Sequence, residues 1–319
     1  MKVSGVVPLS TPNDLSTSAG TPQGCRSQAR EIVRISRVVS DLGRAQAFYC
    51  DTLGFRVVAE GRCEKRTLES LGLDLGDADE VVMRLGAQDI ALVRFASKAR
   101  PYPKDSRSDD LWFQHLAIVV SDMAKAYAYL SSHSGWHAIS EEGPQLLPPS
   151  SGAVRAFKFC DPDGHPLELI WFPPAQGRAV WHERPSNRLF LGIDHSALSI
   201  SNTLHSLSFY RGLGLRVTHR SLNLGPAQSR LDGLPCVHVK VTGLRPDSTT
   251  GPGLELLGYQ PPGRPANGIR PNDMVTDWIT LAMSLSTGKL PCTLQDPDGH
   301  RIVLVDQRVR GPRYLPEDC

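Results

Sequence analysis

The chain has 319 residues, a net charge of +2 and interspersed charges of both signs, so it lacks the basic footprint of a nucleic-acid partner. No apolar run reaches the roughly 18 residues of a membrane span, and seven scattered cysteines with no Cys-x-x-Cys spacing argue against a disulfide framework or zinc knuckle. The length fits about two domains of roughly 150 residues each, in a reduced, cytoplasmic protein.

Residues 1–28 are rich in Ser, Thr, Gly and Pro, lack a hydrophobic h-region and are expected to form a disordered leader. Residues 32–40 read as a strand. Asp41 then opens a helix with Leu42, Ala45, Phe48, Tyr49 and Leu53 at helical spacing, and Gly54 supplies its C-cap. Short strands follow at 81–85 and 90–93. A second unit starts with a strand at 115–121, Asp122 as N-cap and a helix face of Met123, Tyr127 and Leu130, then strands at 153–159 and 167–171. Polar residues 176–188 join the halves. The third unit has a strand at 195–201, Asn202 before Leu204, Leu207 and Tyr210, Gly214 closing the helix, and strands at 236–241 and 254–257. The Pro- and Gly-rich tract 260–271 leads to a fourth, with strands at 278–283 and 292–295 and only 284–291 between them, too little for a helix.

Asp-Pro-Asp-Gly-His occurs twice, at 161–165 and 296–300, each time as a tight turn feeding an apolar strand. The chain therefore reads as an α+β fold of four β-α-β-β-β modules, the fourth truncated. Two modules fall in 29–175, two in 189–309, and 310–319 is a tail.

The helix openings, Phe48-Tyr49…Leu53-Gly54-Phe55, Phe209-Tyr210…Leu213-Gly214-Leu215, the two turns and Leu167-Glu168-Leu169 together resemble the vicinal oxygen chelate superfamily over roughly residues 32–306. That superfamily includes glyoxalases, bleomycin-resistance proteins and extradiol dioxygenases. The resemblance implies two cupped mixed sheets, each built from two modules, with a metal inside a cup held by one residue from the first strand and one from the last strand of each module. The first-strand position, seven residues before the helix-opening residue, holds Arg34, His115 and His195, with Trp278 in the truncated module. The last-strand position holds Glu168 and Glu255, with Ala91 and Val303 in the other two. If module two pairs with three and one with four, one cup carries His115, Glu168, His195 and Glu255 and the other carries no ligand. Pairing in chain order would leave two half-sites. The exchanged arrangement, which resembles fused two-half glyoxalases, is preferred because complete sets are then present or absent together.

Two imidazoles and two carboxylates suit one divalent cation, with Ni, Co, Zn, Fe(II) and Mn all admissible. In such enzymes the cation is a Lewis acid toward two neighbouring substrate oxygens, and a last-strand Glu, here Glu168 or Glu255, moves a proton. His238 is a candidate acid–base residue if the polar face it shares with Cys236 and Lys240 lines the cup, and Tyr259 a candidate substrate contact. A lone His at a strand start is more often a hydrogen-bonded core residue; four candidates at ligand positions favour metal. His165 and His300 are expected to face solvent in their turns, His219 is given no part, and Arg34 is expected in an ion pair rather than on an anion. Where glutathione-handling relatives place an Arg, this chain has Val119 and Ser199, which speaks against glutathione.

The implied function is glyoxalase-like isomerase or lyase chemistry on a small molecule by a monomer or homodimer, with no nucleic-acid or membrane partner. The alternatives are an extradiol Fe(II) dioxygenase and a metal-free sequestering protein.

Overall fold

The computed structural model describes residues 28–73, 78–183, 187–248, 250–284 and 290–308. The expected leader (apart from residue 28), the tail and residues 184–186 of the linker lie outside them.

In chain order, the first run is β1 (Ala29–Val38), α1 (Leu42–Leu53), β2 (Arg56–Arg62), α2 (Lys65–Ser70), β3 (Ala78–Leu85) and β4 (Gln88–Phe95). The second is β5 (Gln114–Val120), α3 (Met123–Ser131), the two-residue β6 (His137–Ala138) and β7 (Gln145–Leu146), β8 (Arg155–Cys160) and β9 (Pro166–Trp171). The third is β10 (Phe190–Ser199), α4 (Thr203–Gly212), β11 (Arg216–Leu224), α5 (Pro226–Asp232), β12 (His238–Arg245) and β13 (Gly253–Tyr259). β14 (Trp278–Met283), β15 (Cys292–Gln295) and β16 (Arg301–Asp306) complete the chain.

The three long helices start where side-chain caps satisfy otherwise orphaned amides. Asp41 accepts from the Arg44 N–H, Asp122 from that of Lys125, and Asn202 from those of Leu204 and His205. Gly54 ends α1 in the left-handed region at φ 71°, where a Cβ would be strained.

Two mixed sheets result, and each draws strands from both halves of the chain. One has seven strands in the order β15-β16-β14-β1-β4-β3-β2; the other runs β11-β12-β13-β10-β5-β9-β8-β6, with β7 on β8. The strands at 114–171 thus share a sheet with those at 190–259, and the first run shares one with the last. Period-two alternation divides each strand between two environments. In β5, Leu116, Ile118 and Val120 enter the core that packs the helices, whereas Ala117 and Val119 belong to a separate apolar cluster on the concave side.

The repeated turn fastens the two sheets together. Asp161 accepts hydrogen bonds from the Asp163 and His165 N–H groups, both at 2.9 Å, and from the Tyr49 hydroxyl of α1 at 3.1 Å. His165 Nδ1 faces Asp161 Oδ2 at 2.9 Å and its Nε2 faces the Val38 carbonyl at 2.9 Å. Both partners are acceptors, so both ring nitrogens donate and the ring is cationic. Burial lowers the pKa of His165, but the Asp161 carboxylate outweighs it and raises it. Buried Arg37 completes this network, donating to the Tyr49 hydroxyl and to the Pro166 carbonyl, each at 3.0 Å. In the second copy, the Tyr210 hydroxyl meets Asp296 at 3.0 Å and His300 Nε2 the Ser199 carbonyl at 2.9 Å. The expectation that His165 and His300 face solvent is therefore corrected: both are buried, because each turn is covered by the other sheet.

Candidate functional site

The nine-stranded sheet curves around a cavity of about 570 Å³ whose lining includes His115, Glu168, His195 and Glu255. A space of this size suits a small organic ligand. His115 and His195 come from the adjacent central strands β5 and β10, where Ala197 pairs with His115 and His195 with Ala117. Glu168 enters from β9, opposite Ala117, and Glu255 from β13, opposite Ala197. All four side chains therefore converge from the middle of one sheet.

His115 Nε2 stands 3.1 Å from Glu168 Oε2, and His195 Nε2 stands 3.8 Å from the same oxygen. Ligand-capable atoms of His115, Glu168 and His195 all lie within 4.8 Å of one another. Ligands about 2 Å from a shared cation are separated by roughly 3 Å or slightly more, so the spacing fits. Despite the proximity, both nitrogens of His115 and Nε2 of His195 are buried without a hydrogen-bond partner. Orphaned buried imidazole nitrogens are costly; a cation beside the carboxylate would satisfy one nitrogen of each ring, Nε2 of His115 and Nε2 of His195, and leave His115 Nδ1 unpaired. The donor set thus fits a divalent metal.

A supporting layer orients His195. A register irregularity in β10 between Ile193 and His195 brings the Asp194 carboxylate beside the ring, with His195 Nδ1 at 3.1 Å from Asp194 Oδ2. Donation from Nδ1 leaves the Nε2 lone pair for a metal. Asp194 is fixed in turn by the Trp181 indole N–H at 2.8 Å and by Arg245. Sequence reasoning missed Asp194; the signal was three consecutive polar residues, Asp194, His195 and Ser196, in one strand.

Lys158 and Asp232 were missed as well. Lys158, paired with Glu168 across β8 and β9, is buried, and its Nζ reaches Asp232 Oδ1 of α5 at 2.6 Å. Burial lowers its pKa, but Asp232 and Glu168 raise it further, so it is an ammonium beside the site. Burial would raise the Glu168 pKa; His115, Lys158 and His195 bring it down to about 2, keeping the carboxylate ionised. His115 is shifted down by burial and then by Lys158, toward the neutral form that ligates. Burial lowers His195 too, but Glu255 and Asp194 outweigh it and lift it to about 9 without a metal.

Glu255 sits at the edge of this group, with Oε2 3.4 Å from His195 Nε2 and Oε1 3.1 Å from His219 Nε2. It does not belong to the tight three-residue set. His219 was given no part from the sequence; its strand, β11, has mostly exposed residues and carries no apolar periodicity to reveal it.

His238 requires correction. In β12 it shares a face with Lys240, Thr242 and Leu244, and Leu244 packs into the helix-side core. His238 and Lys240 are exposed; Val239, Val241 and Gly243 line the cavity, joined by Leu244 at the end of the strand, whereas His238, Lys240 and Thr242 do not. Tyr259 does line it, buried with its hydroxyl unpartnered. Arg34, in the other sheet, pairs with Glu80 at 3.2 Å.

The sequence profile of the Glyoxalase/Bleomycin resistance protein/Dioxygenase superfamily matches residues 31–169. The chain is 31% identical over 142 residues to the uncharacterized protein YaeR of Escherichia coli, a match spanning 44% of this chain and 95% of that one. It is also 31% identical over 140 residues to the uncharacterized protein YwkD of Bacillus subtilis, spanning 44% and 95% respectively. In fold it is similar to glyoxalase I from Zea mays, with a TM-score of 0.57 at 16% identity, covering 88% of this chain and 93% of that chain.

Proposed function

Because the chain belongs to the Glyoxalase/Bleomycin resistance protein/Dioxygenase superfamily, we propose that it is a divalent-metal enzyme of the glyoxalase kind, an isomerase or lyase that moves a proton between adjacent carbons of a small substrate. One observation carries the reading: the buried Nε2 atoms of His115 and His195, neither with a hydrogen-bond partner, converge on the ionised Glu168. These three residues would hold the cation, and Ni, Co, Zn, Fe(II) and Mn all suit the set. When bound, it supplies Lewis-acid polarisation of two neighbouring substrate oxygens.

The remaining work falls to the chain. Asp194 fixes the His195 tautomer, and Lys158 keeps Glu168 anionic. Glu255 would take a proton from a substrate carbon and return it to the neighbour, a role supported by its position at the margin of the set and a side chain 17% exposed against 7% for Glu168. The apolar walls at Val154, Ile170, Val239 and Leu257 limit water around that carbon. The extradiol alternative loses its proton partner with His238 on the exposed face.

Metal analysis of the purified protein, followed by deuterium exchange of a panel of α-hydroxy carbonyl compounds, tests this function. The expected result is one cation per chain and exchange that disappears in Glu255→Gln. A protein that binds no stoichiometric metal, yet still binds small ligands in the cup, would instead be a sequestering protein.

A further inference from the structure

The two carboxylates at the last-strand positions are not equivalent, and the difference originates on an edge strand. We propose that His219 holds Glu255 out of the coordination set, so that Glu168 serves as the permanent ligand while Glu255 stays available for proton transfer. The inference rests on the proposed metal enzyme and deepens it.

Three residues form one row across three strands. His219 of β11 pairs with Gly243 of β12, and Gly243 pairs with Glu255 of β13. Paired residues point to the same face, and neighbouring strands lie about 4.8 Å apart, so His219 and Glu255 start roughly 10 Å apart. An imidazole crosses that distance only if nothing stands between. Gly243 provides the trough: a Cβ there would lie 2.1 Å from His219 Cε1 and 2.2 Å from its Nδ1. The ring therefore lies across β12, and its Nε2 reaches Glu255 Oε1 at 3.1 Å. The other oxygen is left 3.4 Å from His195 Nε2, outside the cluster formed by His115, Glu168 and His195.

The seven-stranded sheet provides an internal control. It has the same register irregularity, between Val57 and Ala59 in β2 where β11 has one between Val217 and His219. Its corresponding row is Ala59, Val82 and Ala91. The imidazole, the glycine that makes room for it and the carboxylate it grips are all absent there, as expected if the three act as a unit.

Titration of the metal-free full-length protein with cobalt(II), read by visible absorption and by competition with a chelator, tests the assignment. Glu168→Gln should weaken cobalt binding more than about 100-fold, whereas Glu255→Gln should change it less than about threefold, since only the first removes a permanent ligand. His219→Ala should release Glu255 onto the metal, lowering the intensity of the cobalt bands as coordination number rises and tightening binding about tenfold. Gly243→Val should do the same by expelling the ring. His219→Gln, which can still donate to Glu255, should keep the wild-type spectrum, an outcome that a purely structural His219 does not predict. Cobalt binding with a wild-type spectrum in His219→Ala, or equal losses in Glu168→Gln and Glu255→Gln, would overturn this inference alone. Failure of the wild-type protein to bind cobalt would overturn the metal enzyme as well.

Discussion

The two cups share a backbone plan and differ in nearly every residue that could do chemistry. Ser36 pairs with Trp278 and Ala91 in one sheet as Ala197 pairs with His115 and Glu255 in the other. Thr280 pairs with Val303 as Ala117 pairs with Glu168. The positions matching His115, His195, Glu168 and Glu255 are thus Trp278, Arg34, Val303 and Ala91. Even the supporting layer differs: the irregularity that presents Asp194 in β10 recurs in β1, where it falls on Val33. In the seven-stranded sheet, Trp278 is buried with Val82, Ala91 and Val303 in an apolar cluster, and Arg34 is closed off by Glu80. The same strand plan is therefore built with and without the candidate ligands, which are confined with their supporting residues to the nine-stranded sheet.

Removing an imidazole should break that contrast most. His115→Ala or His195→Ala should lower metal affinity more than about 100-fold, while Arg34→Ala leaves metal content unchanged, both measured by elemental analysis after dialysis. If Arg34→Ala cost as much metal as His115→Ala, the division of labour between the sheets would be wrong.

The two turn clamps sharpen the comparison through stability. Asp161→Asn removes a carboxylate that faces buried Arg37 and a cationic His165, so urea unfolding should register a loss of roughly 3 kcal/mol. Asp296→Asn, whose network lacks the matching guanidinium because Leu198 occupies that place, should cost about half as much. Equal losses would deny Arg37 its part. The Asp161 pKa is depressed to about 2, although burial acts to raise it, by His165 and Arg37. Its contribution is therefore complete above the unfolded value near 4 and disappears as pH falls toward 2.

Metal binding should depend on pH in the opposite sense to the metal-free fold. His195, lifted to about 9, stabilises the metal-free protein below its unfolded value of about 6.5, and that contribution is lost as pH rises through 9. A metal needs the neutral ring, so cobalt affinity should rise up to about tenfold per pH unit across this window, with one proton released on binding. Affinity that stays flat between pH 6.5 and 9 would mean that His195 is not a ligand. Asp194→Asn, which leaves the ligands in place, should have a smaller effect, an affinity loss of about tenfold by the same titration.

The sequence disclosed most where a residue acts on its near neighbours. Asp41, Asp122 and Asn202 cap helices a few residues away, and the apolar spacing of Phe48, Tyr49 and Leu53 depends on one helix alone. His115 and His195 were legible as candidate ligands because the family resemblance counts their positions from those caps, and Glu168 and Glu255 because each stands in a Leu-Glu-Leu. What was hidden depends on distant chain. The Lys158–Asp232 pair spans 74 residues and His165 is buried by β1, which lies 127 residues away at Val38. Alternation gave β12 two faces without saying which one the cup uses, and His238, a candidate only if its face lined the cup, lies on the other. α5 was not anticipated, and β11, a strand the module plan requires in the third unit, was not located: it is an exposed edge strand whose His219 reaches Glu255 across a glycine.

The central claim is that one cup of this molecule holds one cation and the other holds none, and metal-to-protein stoichiometry after reconstitution tests it most directly. The account predicts a single divalent ion per chain that disappears in His115→Ala. Two ions per chain, or a single ion that survives that substitution, would contradict it.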